Sequence, residues 1–335
     1  LPPRSPDTPA DNFLTRMLRF REVAAAWLED RRADLVQFRG LWEGIPAVEW
    51  ARRHGVPAVF EAHGFPSIEL PYHFPALARA ERVMEKLVRE ERLLIEGARH
   101  FVVPSRTTAR YLQRVGVLPE RTSVVPNAVE VDLFRPPLSP PAAVPPLRLL
   151  YQGTLSPWQG LTTLLEALSL LRGKGLVELH VVGPAKSAWR ARLRSVARSL
   201  RVHHALHLSP PMERRDLVPV LQTAHVCVAP LPDDARNVVQ GCCPIKLLEY
   251  MAAGRPILST SIPPVEELVE HGQTAHLVRP GSAVALAEGI AHLLEHPVER
   301  EALGTRAREA AVNRFTVEHF RGRLARALER ARGLG

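Results

Sequence analysis

In the stretch Pro244-Ile-Lys246-Leu-Leu-Glu249-Tyr-Met-Ala-Ala-Gly254-Arg-Pro256-Ile-Leu-Ser-Thr260, two prolines and a glycine mark out one helix and one strand. Pro244 suits the first turn of a helix, where its missing N–H would have had no intrahelical partner. Gly254 suits the position just past the helix, and Pro256 stops any continuation and opens a new apolar run. The spacing predicts a helix over Pro244 to Ala253, with a strand before it at His225 to Pro230 and another after it at Pro256 to Thr260. Strand, helix and strand in that order are the sign of a parallel sheet with crossover helices.

The same alternation spreads in both directions. Towards the C-terminal side of the chain, strands are expected at Arg148 to Gly153, Val177 to Pro184, Ala205 to Pro210 and Ala275 to Pro280. Helices fill the gaps at Gln159 to Leu171, Ser187 to Leu200, Glu213 to Thr223 and Ser282 to Leu294. In the first half, apolar runs lie at Asp34 to Arg39, Pro57 to His63, His100 to Ser105 and Thr122 to Val129. A long helix is expected over Pro75 to Ala98, with Leu77, Val83, Leu87 and Leu94 as its apolar stripe. Between the halves, the run from Phe134 to Pro146 holds six prolines, which remove amide donors and fix φ. An interdomain linker is placed there.

The chain of 335 residues has room for about two domains. The expected division is a first α/β domain over 1–135, a linker over 136–147, a second α/β domain over 148–314, and a C-terminal helix over 315–335 that returns to the first domain. Two doubly wound parallel sheets joined in this way imply a cleft with ligands at the carboxyl ends of the strands. Leu1 to Pro9 reads as a proline-rich coil without the features of a signal peptide, and the chain is expected to lack its natural N-terminus.

Composition excludes several classes. No uncharged stretch approaches the length of a membrane span. Cys227, Cys242 and Cys243 are too few for a disulfide framework, and a reducing, cytoplasmic setting fits them best, with contact at the inner face of a membrane left open. The formal charge of +9 predicts attraction to something anionic without choosing it. Eight cations against one acid fall between Lys186 and Arg215. That segment has no interleaved aromatics beyond Trp189 and no nucleic-acid signature, so a solvated arginine-rich helix is the plainer explanation and no nucleic-acid partner is expected. Membrane contact through it stays open.

The helix at Pro244 carries the candidate chemistry. First-turn amides and the positive end of the helix dipole favour an anion, and Lys246 adds a full charge, which outlines a phosphate site. Glu249, three residues on, shares that helix face and could accept hydrogen bonds from the two hydroxyls of a ribose. The competing explanation is an ordinary ion pair on a solvated helix face.

With those residues in place, the string from Pro244 through Lys246, Glu249 and Gly254 to Pro256 resembles the nucleotide-sugar motif of family 4 glycosyltransferases. Tyr151 to Gly160, Val103-Pro-Ser105, Val125-Pro-Asn127, Val181-Val-Gly183 and Ala229-Pro-Leu231 are similar to that family's strand ends and loops. The resemblance implies the GT-B fold and retaining transfer of a sugar from a nucleoside-diphosphate donor, UDP- or GDP-linked, to a glycan, lipid-linked or small-molecule hydroxyl. It implies catalytic roles for Lys246 and His63, the latter at the end of Phe60-Glu-Ala-His63-Gly. It implies donor contacts from Gly153, Thr154, Gln159, Gly183, Arg236, Gly241, Cys242, Cys243, Pro244, Ile245, Leu247 and Glu249. Arg39, Glu69, Ser105 and Asn127 are weaker candidates on the acceptor side. No cofactor beyond the sugar nucleotide, and no metal, is expected; Asp233 and Asp234 look like turn residues.

Two departures from the family pattern stand out. Many members carry two glutamates eight positions apart, and Gly241 stands eight positions before Glu249. The loop after Gly153 has Thr154 and Gln159 where the family often has cations. The alternatives are a degenerate, non-catalytic member that binds nucleotide, nucleic acid or anionic membrane, and a sugar-nucleotide epimerase.

Overall fold

The structure is a computed structural model that describes residues 13–139, 146–171 and 177–333. The proline-rich N-terminal coil and residues 140–145 of the expected linker lie outside the described residues. The chain divides into two compact units. The first runs to Pro126 and adds Val239–Cys242 and the chain from Arg321 on; the second comprises Asn127–Val238 and Cys243–Phe320.

The first unit is built on a parallel sheet of β1 (Val36–Phe38), β2 (Ala58–Glu61), β3 (His100–Val103) and β4 (Thr122–Val124), paired in sequential order. Every residue of β2 and β3 is buried, as expected of strands covered on both faces by crossover helices. Phe38 stacks on Phe60 with ring centroids 5.0 Å apart, and Trp50 of the helix Leu41–His54 closes over the same core. The predicted helix over Pro75 to Ala98 is two pieces, a 3-10 turn Pro75–Arg79 and a helix Glu81–Gly97. Leu87 and Leu94 face inward, but Val83 is 43% exposed, so the stripe is narrower than its spacing suggested.

The second unit holds β5 (Leu147–Gln152), β6 (Val177–Val182), β7 (Leu206–Ser209), β8 (Val226–Ala229), β9 (Ile257–Thr260) and β10 (His276–Val278). They pair in the order β10-β9-β8-β5-β6-β7, all parallel. The order reverses between β5 and β8, and such a reversal opens a crevice beyond the strands' carboxyl ends. The second unit starts at Asn127, ahead of the proline run, because Val129 and Phe134 are buried in its core and Val129 N–H donates to Phe315 O at 2.9 Å. No helix among the described residues is long and apolar enough to cross a membrane.

Candidate active site

The carboxyl end of β5, which pairs with β6, meets the helix Ile245–Ala252. Gly153 and Gly183 follow those two strands, both with positive φ, and a Cβ on Gly183 would fall 2.0 Å from Gly153 O. Glycine at 183 is therefore a packing requirement, and it keeps the two strand ends in close contact. Pro244 stands at the N-cap, one position earlier than its spacing predicted, and Gly254 takes the left-handed conformation past the last turn.

Lys246 reaches from the first turn towards β5. Its ammonium donates to the Tyr151 hydroxyl at 2.8 Å and to Gln159 Oε1 at 2.7 Å, and it lies 4.1 Å from the centre of the Tyr151 ring. Tyr151 in turn donates to Thr154 O at 2.8 Å. The Tyr151 hydroxyl, Gln159 and the Tyr151 ring face thus fix a positive charge beside Gly153.

Glu249 is only 6% exposed, so this is not a solvated helix face. Gln152 donates to one carboxylate oxygen, and Arg214 lies 3.6 Å from the other while also pairing with Glu130. Burial raises the Glu249 pKa, and Arg214, Gln152 and Lys246 pull it back down. Tyr250, on the inner face of the same helix, accepts the backbone N–H of Gln152 at 2.9 Å and locks the helix to β5.

The first unit has a second polar group at its strand ends. Glu61, the last residue of β2, is 5% exposed and accepts from Gln37 Nε2 at 2.5 Å, from Arg39 and from His63 Nε2 at 2.7 Å. Burial opposes its charge, but the hydrogen bonds from His63 and Arg39 outweigh burial and hold the Glu61 pKa down to about 2. The arrangement follows from strand geometry: residues two apart share a face, and β1 and β2 pair Gln37 with Val59.

Complementary sequence patterns match nearly the whole chain. The one described as "Glycosyltransferase Family 4" matches residues 1–133, and the one described as "Glycosyl transferases group 1" matches residues 146–296. The chain belongs to the family 4 glycosyltransferases. WcaL of Salmonella typhimurium, named for colanic acid biosynthesis, is 27% identical over 223 residues, 65% of this chain and 53% of that protein. A D-inositol 3-phosphate glycosyltransferase of Acidothermus cellulolyticus is 28% identical over 296 residues, 81% of this chain and 63% of that one. The chain therefore spans about half to two thirds of these relatives' length. Among solved structures, Anabaena HepE in complex with UDP and glucose superposes with a TM-score of 0.76 at 18% identity, covering 93% of this chain and 81% of that one. Sucrose-phosphate synthase from Thermosynechococcus elongatus gives 0.78 at 22% identity, covering 98% and 82%. The pair of parallel-sheet α/β units is the GT-B fold.

In this family 4 glycosyltransferase, the expected donor-side residues do not all gather in one place. Gly153, Thr154, Gln159, Gly183, Pro244, Lys246 and Glu249 collect at the sheet end of the second unit. Cys243 and Leu247 direct their side chains into its core, which leaves only their backbone for a ligand, while Ile245 is half exposed. Gly241 and Cys242 pack with the first unit instead. Gly241 has φ +82°, and a Cβ there would lie 2.7 Å from Thr108 N and 2.8 Å from Ser105 Oγ. The missing glutamate thus has neither the backbone conformation nor the space for a side chain. Arg236 begins the short π-helical segment Arg236–Gln240.

The acceptor-side candidates separate in the same way. Ser105 is the N-cap of the helix Arg106–Arg114, accepting from Thr108 N at 3.1 Å, which is a structural task. Asn127 packs with the second unit, where its amide donates to Cys243 O at 2.9 Å. Arg39 joins Glu61, and Glu69 lies on the helix Pro66–His73 and accepts from Gln240 Nε2 at 3.0 Å. Asp234 accepts the backbone N–H of Asn237 at 3.0 Å, the turn role expected of it. Sequence reasoning passed over Glu61, Gln37, Gln152, Tyr151 and Arg214. Glu61 and Gln37 had a usable signal, since each stands two residues before a polar candidate at a strand end.

Proposed function

We propose that this protein is a retaining glycosyltransferase that moves a sugar from a nucleoside-diphosphate donor to an acceptor hydroxyl. The observation that carries it is the pairing of Lys246 and Glu249 one turn apart on a helix that starts at the switch point of the second sheet. A cation fixed beside Gly153 by Tyr151 and Gln159 suits a diphosphate, and a buried carboxylate one turn on suits a ribose. Anabaena HepE has been solved with UDP and with UDP-glucose, which supports a uridine donor; GDP remains the alternative base.

In this scheme the bond between the anomeric carbon and the donor's diphosphate breaks as negative charge builds on the phosphate oxygens. Lys246, already fixed by Tyr151 and Gln159, stabilises that charge without reorganising, and the first-turn amides and Arg236 add to the positive potential. The acceptor hydroxyl attacks from the leaving-group face and gives its proton to a donor phosphate oxygen, so no enzymic nucleophile takes part. Glu249 accepts from the ribose hydroxyls. His63 positions the transferred sugar, and Glu61 fixes the imidazole's orientation. The donor is a co-substrate, and no separate cofactor or metal enters the scheme. The acceptor is a glycan, a lipid-linked sugar or a small polyol; the relatives' names span colanic acid and inositol phosphate.

The deciding experiment is a thermal-shift panel of nucleoside diphosphates and their sugars on the full chain, followed by a transfer assay with the best donor. A rise in midpoint with UDP or GDP, and released nucleotide that depends on acceptor, support the proposal. Release or isomerisation without acceptor turns it towards an epimerase, and no nucleotide shift at all towards a non-catalytic member.

A further inference from the structure

Five metal-ligating side chains meet at the opposite, amino end of the second sheet. His276 is the first residue of β10. The helix Ala283–Glu295 runs back against the strand direction, so its last turn brings His292 to that end. The helix Pro297–Arg314 starts there and places Glu299 in its first turn. The ring centres of His276 and His292 are 5.0 Å apart, His296 stacks on His292 at 4.3 Å, and His271 meets His276 edge-on at 5.2 Å. One ligand atom from each of His276, His292 and Glu299 lies within 4.8 Å of the others.

From this geometry we infer that His276, His292 and Glu299 form a binding site for a divalent transition-metal ion of the zinc class. Two imidazoles and a carboxylate are a familiar donor set for such ions, and bonds of about 2.0–2.1 Å in a tetrahedral shell hold ligand atoms about 3.3 Å apart. His292 Nε2 and Glu299 Oε2 are already 3.0 Å apart, so rotation of the His276 ring is the main adjustment. His292 and Glu299 are 35% and 41% exposed, which leaves an entry path and room for water as a further ligand. His271 Nδ1 accepts the Leu277 N–H at 3.0 Å, and His296 Nδ1 lies 2.9 Å from His292 O, so both flanking rings are oriented by backbone. The ion would tie the start of the edge strand to two helix ends.

A second group, Glu178, His180 and His207, sits at the other edge of the same sheet and provides an internal comparison. There the carboxylate and His180 are 3.6 Å apart.

The test uses the full chain freed of metal and titrated with Co2+ alone, with Zn2+ as competitor. The expected result is one equivalent of Co2+ with a visible absorption band that Zn2+ displaces. His292→Gln and Glu299→Gln, both at partly exposed positions, should each weaken binding by at least about tenfold while leaving the metal-free melting midpoint unchanged. His207→Gln should leave binding as it is. Several weak equivalents, or Co2+ binding unaffected by His292→Gln and Glu299→Gln, or lost in His207→Gln, would overturn the inference. Nucleotide binding is read separately, because the donor-side residues lie at the carboxyl end of the sheet.

Discussion

Gln159 Oε1 accepts a hydrogen bond from Lys246 Nζ at 2.7 Å. Where the family pattern often has a cation in this loop, the chain has an acceptor that holds Lys246 in place. Replacing Gln159 by Leu removes that acceptor without adding charge. Turnover should fall by about tenfold, the scale of one lost hydrogen bond to a charged group, with little change in stability. Steady-state kinetics with the best donor reads the effect, and an unchanged kcat would disconnect Gln159 from the leaving group.

Lys246→Ala removes the charge itself. We expect turnover to drop by about 100- to 1000-fold, as for other groups that stabilise developing charge, and the melting midpoint to move by only a few degrees. Single-turnover measurement separates this from product release; transfer near the wild-type rate would sink the assignment.

Glu249→Gln should weaken free UDP or GDP by about 10- to 100-fold in calorimetry, since a charged acceptor is lost. Burial raises the Glu249 pKa, so the carboxylate takes up its proton at a higher pH than an ordinary glutamate. Nucleotide affinity of the wild type should therefore fall as the pH drops through a range above 4.5, and the Gln variant should lack that dependence.

Glu61 behaves with the opposite sign. Its folded pKa of about 2 lies below the ordinary 4.5, so the stability it contributes is present above pH 4.5 and lost as the pH falls from 4.5 towards 2. Because Arg39 is well exposed and screened, the contribution is discounted to about 2 kcal/mol. Denaturant titrations between pH 7 and pH 3 should show wild type losing stability over that window and Glu61→Gln losing much less. Parallel curves would mean that the Glu61 cluster adds nothing.

Gly241→Glu restores the family's paired glutamates on paper. With φ +82° and a Cβ overlapping Thr108 N and Ser105 Oγ, it should instead destabilise by about 2–4 kcal/mol. Gly241→Ala should cost nearly as much. A variant with unchanged midpoint and tighter donor binding would show that the backbone there readjusts.

Much of the architecture was legible because it rests on local, repeating signals. Pro244, Gly254 and Pro256 bound a helix and a strand through backbone chemistry that each residue carries alone, and the structure moves those limits by one residue. The helix Glu81–Gly97 shows the limit of periodicity: Val83 has the right spacing, but no element among the described residues buries it.

By itself the sequence determined two α/β units with parallel sheets, a helix bearing Lys246 and Glu249, and a polar strand end at His63, because turn residues, hydrophobic period and i, i+3 spacing act over a few residues. Only the tertiary structure decided which side chains hold those groups. Tyr151 and Gln159 reach Lys246 across 95 and 87 positions of chain, and Gln152 reaches Glu249 across 97. It likewise turned Ser105 into a cap, moved Asn127 into the second unit and closed position 241 to any side chain. Sequence spacing carries no distance between segments brought together by sheet pairing; strand order and burial set those distances, and with them the charges at the site.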